Sequence, residues 1–392
     1  MCDTGGTPIL SIELGVQAGA RFRMKVGSGS MNSAILGIGT ALPLFSITQA
    51  EAVELVQTFS PAGKNDGRLL KALYHKTRVK MRGSVLLENP AGSYKQSFFE
   101  QAVNGNSHGP TTQTRMERYA KEAPFLALKA SQQALDESGL KAGQITHLIT
   151  VSCTGFNAPG FDIELIKKLG LSLSIHRTHV GFMGCHGALN GLNLAKALVD
   201  AYLNARVLLC AVELCSLHFQ YGWDSQKVVA NSLFADGAAA CVVAPAPKAP
   251  KDAWRIAASG AGIFPDCGEA MTWKIGDHGF EMTLSPRIPD LIASHLPLWC
   301  ENWLRENGSK ISDIGSWAIH PGGPRILDAT AECLNLTQEM IKTSREVLAA
   351  CGNMSSPTIL FILRNLMLEK APKPCVALGF GPGLSVEAAL FS

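Results

Sequence analysis

The chain has 392 residues, 46% hydrophobic and only 17% charged. That balance excludes disorder over most of the length and suits a large buried core. Lys and Arg outnumber Asp and Glu by 35 to 32, too evenly for a nucleic-acid or polybasic membrane surface. The eleven cysteines, an odd number with no C-x-x-C pair, argue against a disulfide scaffold and for a reducing cytoplasm.

The longest charge-free stretch, 26–50, follows Arg21, Arg23 and Lys25. Gly27, Gly29, Gly37, Gly39 and Pro43 interrupt it, which disfavours a membrane span or a signal peptide. It reads as the end of a disordered leader over residues 1–30, then a buried strand over 33–38, with Met31 as a plausible start. Gly37-x-Gly39 lacks a third glycine, so a dinucleotide fingerprint is excluded. The segment HKTRVKMR sets Lys76, Arg78, Lys80 and Arg82 at every second position. Extended, all four share one face, suited to phosphates or simply to solvent. Residues 134–155 read as helix, glycine stop, short loop and buried strand. His176 and His179 form an H-x-x-H with no further ligand at metal spacing, so a strand or loop is expected and no metal site. From Gly184 the chain reads turn, apolar-faced helix, strand. APAPKAPKDA, 244–253, reads as a linker dividing the chain into parts 31–247 and 248–392.

The second part repeats the first. With a shift of 169, Glu137 meets Glu306, Gly139 meets Gly308, Lys141 meets Lys310 and Ile145 meets Ile314. With a shift of 168, the turn at Gly184 meets the turn at Gly352. Two nearly equal offsets imply a duplication, and alternating strands and helices imply an α/β fold with buried sheets. The equivalent turns carry Cys185 and Asn353, and the second-half strand ends at His320. Pseudo-twofold packing brings the three to one centre. A thiol before a helix, near an imidazolium, has a lowered pKa and attacks acyl carbonyls. Singly, each residue reads equally as structural: a buried Cys, a half-buried His, an Asn helix cap.

The motifs GCHGA around Cys185, FADGAAA from Phe234, WAIHPGGPRIL from Trp317, TSREVLAACGNMSS from Thr343 and GFGPGLSVE from Gly379 resemble the type III polyketide synthases. These form the chalcone and stilbene synthase family, on the thiolase fold. The resemblance implies duplicated βα halves in a five-layered αβαβα core: a nucleophile half, 31–247, and a half with His and Asn, 248–392. It implies that Cys185 takes a starter acyl group from coenzyme A. His320 and Asn353 then stabilise the enolate left when malonyl-CoA loses CO2. No cofactor beyond CoA thioesters is implied, and a homodimer is expected.

By the same resemblance Phe234 is a gatekeeper between CoA tunnel and cavity, and Met282 stands where plant enzymes have a second gatekeeping Phe. Cavity positions fall on Cys153, Cys215, His218, Trp273 and Ser355. The loop Gly379, Phe380, Gly381 shapes the cavity, and Lys76, Arg78, Lys80 and Arg82 meet CoA, Lys76 foremost. Trp273 replaces a small residue of the plant enzymes, and His186 replaces their Phe. The starter, the number of extensions and the mode of cyclisation (pyrone, resorcinol or chalcone-like) are not legible. Rival readings are a ketoacyl synthase III-like enzyme fed by acyl carrier protein, a papain-like hydrolase, and a catalytically silent thiolase-fold binding protein.

Overall fold

The computed structural model describes residues 33–60, 66–89, 93–103, 107–222, 224–246 and 253–392. The expected leader lies outside the described residues. In the first half the order is β1 (Ser33–Ala41), β2 (Ser46–Thr48), α1 (Gln49–Phe59), α2 (Asp66–Lys76), β3 (Met81–Gly83), α3 (Thr112–Ser138), β4 (His147–Ser152), α4 (Phe161–Leu169), β5 (His176–Gly181), α5 (Gly187–Ala201), β6 (Val207–Leu214), α6 (Ser225–Leu233) and β7 (Asp236–Pro245). The second half runs β8 (Trp254–Ile263), β9 (Met271–Gly276), β10 (Gly279–Leu284), α7 (Ile288–Glu306), β11 (Ser316–Ile319), α8 (Pro324–Cys333), α9 (Lys342–Cys351), α10 (Thr358–Leu368), β12 (Cys375–Gly381) and β13 (Ser385–Phe391).

The large sheet has the order β11-β12-β13-β8-β1-β7-β6-β4-β5. Its seam is short: β1 meets β8 only through Ala34–Arg255 and Ile35–Trp254. Outward from the seam the pairings match. β7–β6 and β13–β12 are antiparallel, whereas β6–β4 and β12–β11 are parallel. The helix stops match too. Gly139 and Gly308 end their helices at φ 68° and 71°, where glycine carries no steric penalty. A 3₁₀ turn follows each, at Ala142–Gln144 and Ile311–Asp313.

Three apolar cores separate five layers. One packs α3 and α4 on the outer face of the first half-sheet, with Ala123, Ala127 and Ala130 against Leu208 and Val242. A middle core buries α5 and α10 between the half-sheets, and a third packs α7 and α8 on the outer face of β12 and β13. The chain therefore has the expected αβαβα arrangement. The sequence of α10, TILFILRNLML, is apolar almost all round, as a helix between two sheets must be. Gly39 lets β1 approach α3 closely, since a Cβ there would overlap the Ala130 carbonyl. Among the described residues no helix is long and apolar enough to cross a membrane.

Candidate active site

The site forms where the two middle-layer helices begin. After β5, a single 3₁₀ turn, Gly184–His186, leads into α5. Gly184 adopts φ +78°, and a Cβ there would collide with the Pro382 ring; only glycine satisfies both demands. Cys185 comes next, 7% exposed. From the other half, His320 follows β11 and donates its backbone N–H to Leu378 (2.8 Å). Asn353 precedes α10 by five residues, so it is not a helix cap. It is fixed by backbone bonds to Leu233 and from Ala235, both 2.9 Å. The three side chains meet in a gap of about 10 Å³ that Phe234, Met282 and Phe380 also line. That is room for about one water.

Electrostatics there are dominated by burial. Burial pushes the Cys185 thiol up to about 11, and the Glu213 carboxylate adds to this against the Ser355 hydroxyl. That hydroxyl lies 3.6 Å from Sγ. Burial also drives His320 down to about 3, helped by the neighbouring His186 imidazole. Burial therefore works against the lowered thiol pKa expected at a helix start. Loss of hydration favours the neutral thiol and the neutral imidazole.

Neither ring nitrogen of His320 has a partner among the described residues, and the Asn353 Nδ2 meets no oxygen or nitrogen acceptor, only the Cys185 sulfur, although all three are buried. Each such orphan costs about 1–3 kcal/mol. Asn353 Oδ1 accepts from the Ser355 N–H at 2.8 Å, which reserves its NH2 for the gap. Ser355 holds this geometry at φ +56°, a conformation costing a non-glycine residue about 1–2 kcal/mol. Donors left unpaired beside a nucleophile suit an oxygen that gains charge during reaction.

A larger cavity of about 350 Å³ opens from Cys185. Cys153, Cys215, His218, Trp273 and Ser355 line it, as do Phe234 and Met282. One wall is rigid and uncharged. His218 stacks on Phe280 with centroids 4.2 Å apart. Its Nε2–H donates to Thr154 O (2.7 Å) and its Nδ1 accepts from Phe280 N (2.9 Å). Burial drives this imidazole down to about 3. The Trp273 indole donates to Cys153 O (2.9 Å). From that wall the cavity continues to Ala52, Val56 and Phe59 of α1, and to Leu87 and Phe99.

Of the loop residues, Phe380 faces the reactive gap, whereas Gly379 and Gly381 pack behind it on His186. The basic segment is not one extended face. Lys76 ends α2 and Arg78 turns at φ +57°. Lys76, Arg78 and Lys80 are exposed between buried Thr77 and Val79. Arg82 points inward, over the Tyr74 ring, and donates to the carbonyls of Asn231 and Phe234; it is committed to the protein. Arg78 and Lys80 line a separate surface cleft of about 740 Å³ with Lys71 and His75. His176 and His179 lie on β5, and among the described residues no group of three or more His, Cys, Asp or Glu is placed to hold a metal.

Sequence reasoning missed Glu213. Its buried carboxylate accepts from Cys153 N (2.9 Å), Thr154 Oγ1 (2.7 Å) and Ser356 Oγ (2.6 Å). It thereby ties the ends of β4 and β6 to the Asn353 turn. The signal was available: one acid in the apolar strand VLLCAVEL. The α1 and Phe99 walls carry no motif and could not have been found.

A thiol, an imidazole and a carboxamide, joined across the two halves of one αβαβα fold, define a condensing enzyme of the thiolase type. Family models agree and are narrower. The chalcone and stilbene synthase N-terminal domain matches residues 21–247, and the C-terminal domain matches 255–392. An α-pyrone synthesis polyketide synthase-like protein of Mycobacterium tuberculosis, Pks18, is 32% identical over 97% of this chain and 98% of its own. A 1,3,6,8-tetrahydroxynaphthalene synthase of Streptomyces peucetius is 32% identical over 91% and 92%. The crystal structure of PKS-I from the brown alga Ectocarpus siliculosus superposes with a TM-score of 0.84 at 28% identity, covering 93% of this chain and 99% of that one. The chain belongs to the chalcone and stilbene synthase family and is a type III polyketide synthase. The carrier-protein-dependent ketoacyl synthase reading falls with that result. The five-layered fold removes the papain-like one.

Proposed function

We propose that the enzyme builds a polyketide on Cys185 from an acyl-CoA starter and malonyl-CoA. The observation that carries this is the unpaired His320 imidazole and the Asn353 carboxamide, which has no oxygen or nitrogen acceptor, lining one gap with the Cys185 thiol. In loading, neutral His320 takes the thiol proton as sulfur attacks the starter carbonyl. The tetrahedral intermediate collapses and CoA leaves as a thiol. Malonyl-CoA then enters with its thioester oxygen against the His320 N–H and the Asn353 NH2. The bond to the carboxylate breaks, CO2 departs, and the electron pair moves to that oxygen as an enolate. The enolate carbon attacks the Cys185 thioester, the Cys sulfur leaves, and a chain two carbons longer remains on CoA. Only a nucleophile, a proton partner and neutral donors are needed, so the reaction calls for no redox or metal cofactor.

The apolar run from Cys215 to Ala52, Phe59 and Phe99 supports a starter with an extended aliphatic chain. Trp273 and Phe280 fill space on the opposite side. Lys76, Arg78 and Lys80, exposed near the 740 Å³ cleft, are proposed to meet the CoA phosphates. The exposed edge strand β5 supports a homodimer, and free thiols at ten described cysteines support a cytoplasmic setting. The test is mass spectrometry of products from malonyl-CoA with acyl-CoAs of increasing length. Free CoA thioesters are expected to turn over and to leave an acyl group on Cys185. Turnover that demands an acyl carrier protein would refute the proposal.

A further inference from the structure

We infer that His186 is a positioning residue that clamps the cavity wall Gly379–Pro382 to the turn bearing Cys185. His186 follows the nucleophile in sequence, yet its buried ring lies on the far side of the wall from both cavity spaces. The GFG pattern makes room for it. A Cβ on Gly381 would collide with His186 Nε2, and one on Gly379 would stand 3.1 Å from His186 Cβ. Between these glycines, Phe380 faces the reactive gap.

The ring is held at both nitrogens. Nδ1 lies 2.7 Å from Asn190 Oδ1, and Nε2 lies 2.8 Å from Ser385 Oγ. The Asn190 carboxamide has its orientation set by the Glu387 carboxylate, which takes hydrogen bonds from Asn190 and from Asn193. An acceptor oxygen therefore faces Nδ1, so Nδ1 carries the proton and Nε2 accepts from the Ser385 hydroxyl. With its one proton given to Nε2, Ser385 Oγ only packs against Pro382 O, 3.0 Å away. One imidazole thus links α5, in the nucleophile half, to the turn that ends β12 in the other half. The sequence separation is 199 residues. Gly184 against Pro382 is a second contact between these two turns. A phenyl ring, the plant-enzyme choice, would fill the slot but release both hydrogen bonds.

The inference rests on Cys185 being the acylated nucleophile, and the experiment separates the two. Single-turnover acylation by hexanoyl-CoA, alkylation of Cys185 by iodoacetamide, and melting temperature are measured for wild type, His186→Phe, Ser385→Ala, Ser385→Thr and the double variant His186→Phe/Ser385→Ala. His186→Phe and Ser385→Ala are each expected to slow both reactions about tenfold, the value of the hydrogen bond that joins the two turns, with melting lowered by only about a few degrees by the buried groups left unpaired. The double variant should be no slower than either single one, and Ser385→Thr, which keeps the hydroxyl, should match wild type. Rates within twofold of wild type, losses that multiply in the double variant, or a Thr variant as slow as Ala would each overturn the clamp. If His186→Phe does not fold, the Ser385 pair decides. Wild-type protein that alkylates but never acylates would refute the function and leave the clamp to be judged from alkylation.

Discussion

The direction of the cavity makes a sharp prediction about chain length. Ala52, Val56 and Phe59 lie at helical spacing on one face of α1, and all three line the 350 Å³ space. Ala52 is the smallest of them. Ala52→Phe puts a phenyl ring across the corridor and leaves Cys185, His320 and Asn353 untouched. Each methylene buried in an apolar site contributes about 0.8 kcal/mol. A ring that excludes about four methylenes removes about 3 kcal/mol, or roughly 200-fold in kcat/KM. Short starters end before the block and lose nothing. The assay is kcat/KM against acyl-CoA length, from acetyl to palmitoyl, for wild type and variant. The wild-type curve should climb with length, and the variant should follow it and then flatten. Overpacking costs about 1–3 kcal/mol of stability, so melting is measured alongside. A uniform loss at every length, or an unchanged curve, would refute the claim that the chain runs along α1.

Cys185→Ala should abolish starter loading, because among the described residues no other nucleophile lines the gap with His320, and an acyl adduct on that variant would overturn the assignment. Cys185→Gln should keep releasing CO2 from malonyl-CoA, measured with labelled substrate, since His320 and Asn353 remain. Trp273→Gly removes the indole that caps the wall at Cys153; turnover of bulky aromatic starters relative to aliphatic ones should rise at least about tenfold, one step of about 1.4 kcal/mol, and an unchanged product ratio would argue against a blocking role. Leu363→Ala in the middle layer, fully buried in α10, should cost about 2–5 kcal/mol in denaturant melts. Burial raises the Asp236 carboxyl from 3.8 to about 6, against hydrogen bonds from Ser216 and Val85. The folded state therefore binds that proton more tightly than the unfolded one. The stability it supplies is complete below pH 3.8 and is lost as pH rises through 6, by about 3 kcal/mol. Asp236→Asn, melted from pH 4 to pH 7, should gain on wild type by that amount; a constant difference across the range would refute it.

What could be read from the chain, and what could not, follows from the range of the physics. Gly139 and Gly308 mark helix ends by a local backbone demand, so the repeat at shifts of 169 and 168 is visible in the sequence, and the fold with it. Cys185, His320 and Asn353 are reachable because the duplication itself predicts that equivalent turns converge. Charge state is not reachable: the helix start behind Cys185 argues for a thiolate, and only three-dimensional burial shows desolvation working against it. Arg82 fails for a related reason. Alternation places it with Lys76, Arg78 and Lys80, but the short strand β3 turns it toward Asn231 and Phe234, whose carbonyls lie 149 and 152 residues away in sequence. Distance along the chain also hides Glu213, which should resist conservative change more than its silence in the motifs suggests. An acid that accepts hydrogen bonds from Cys153, Thr154 and Ser356 holds together the two halves that carry Cys185 and Asn353. Its side-chain length sets their separation, so Glu213→Asp should slow condensation where Cys185 alkylation still proceeds.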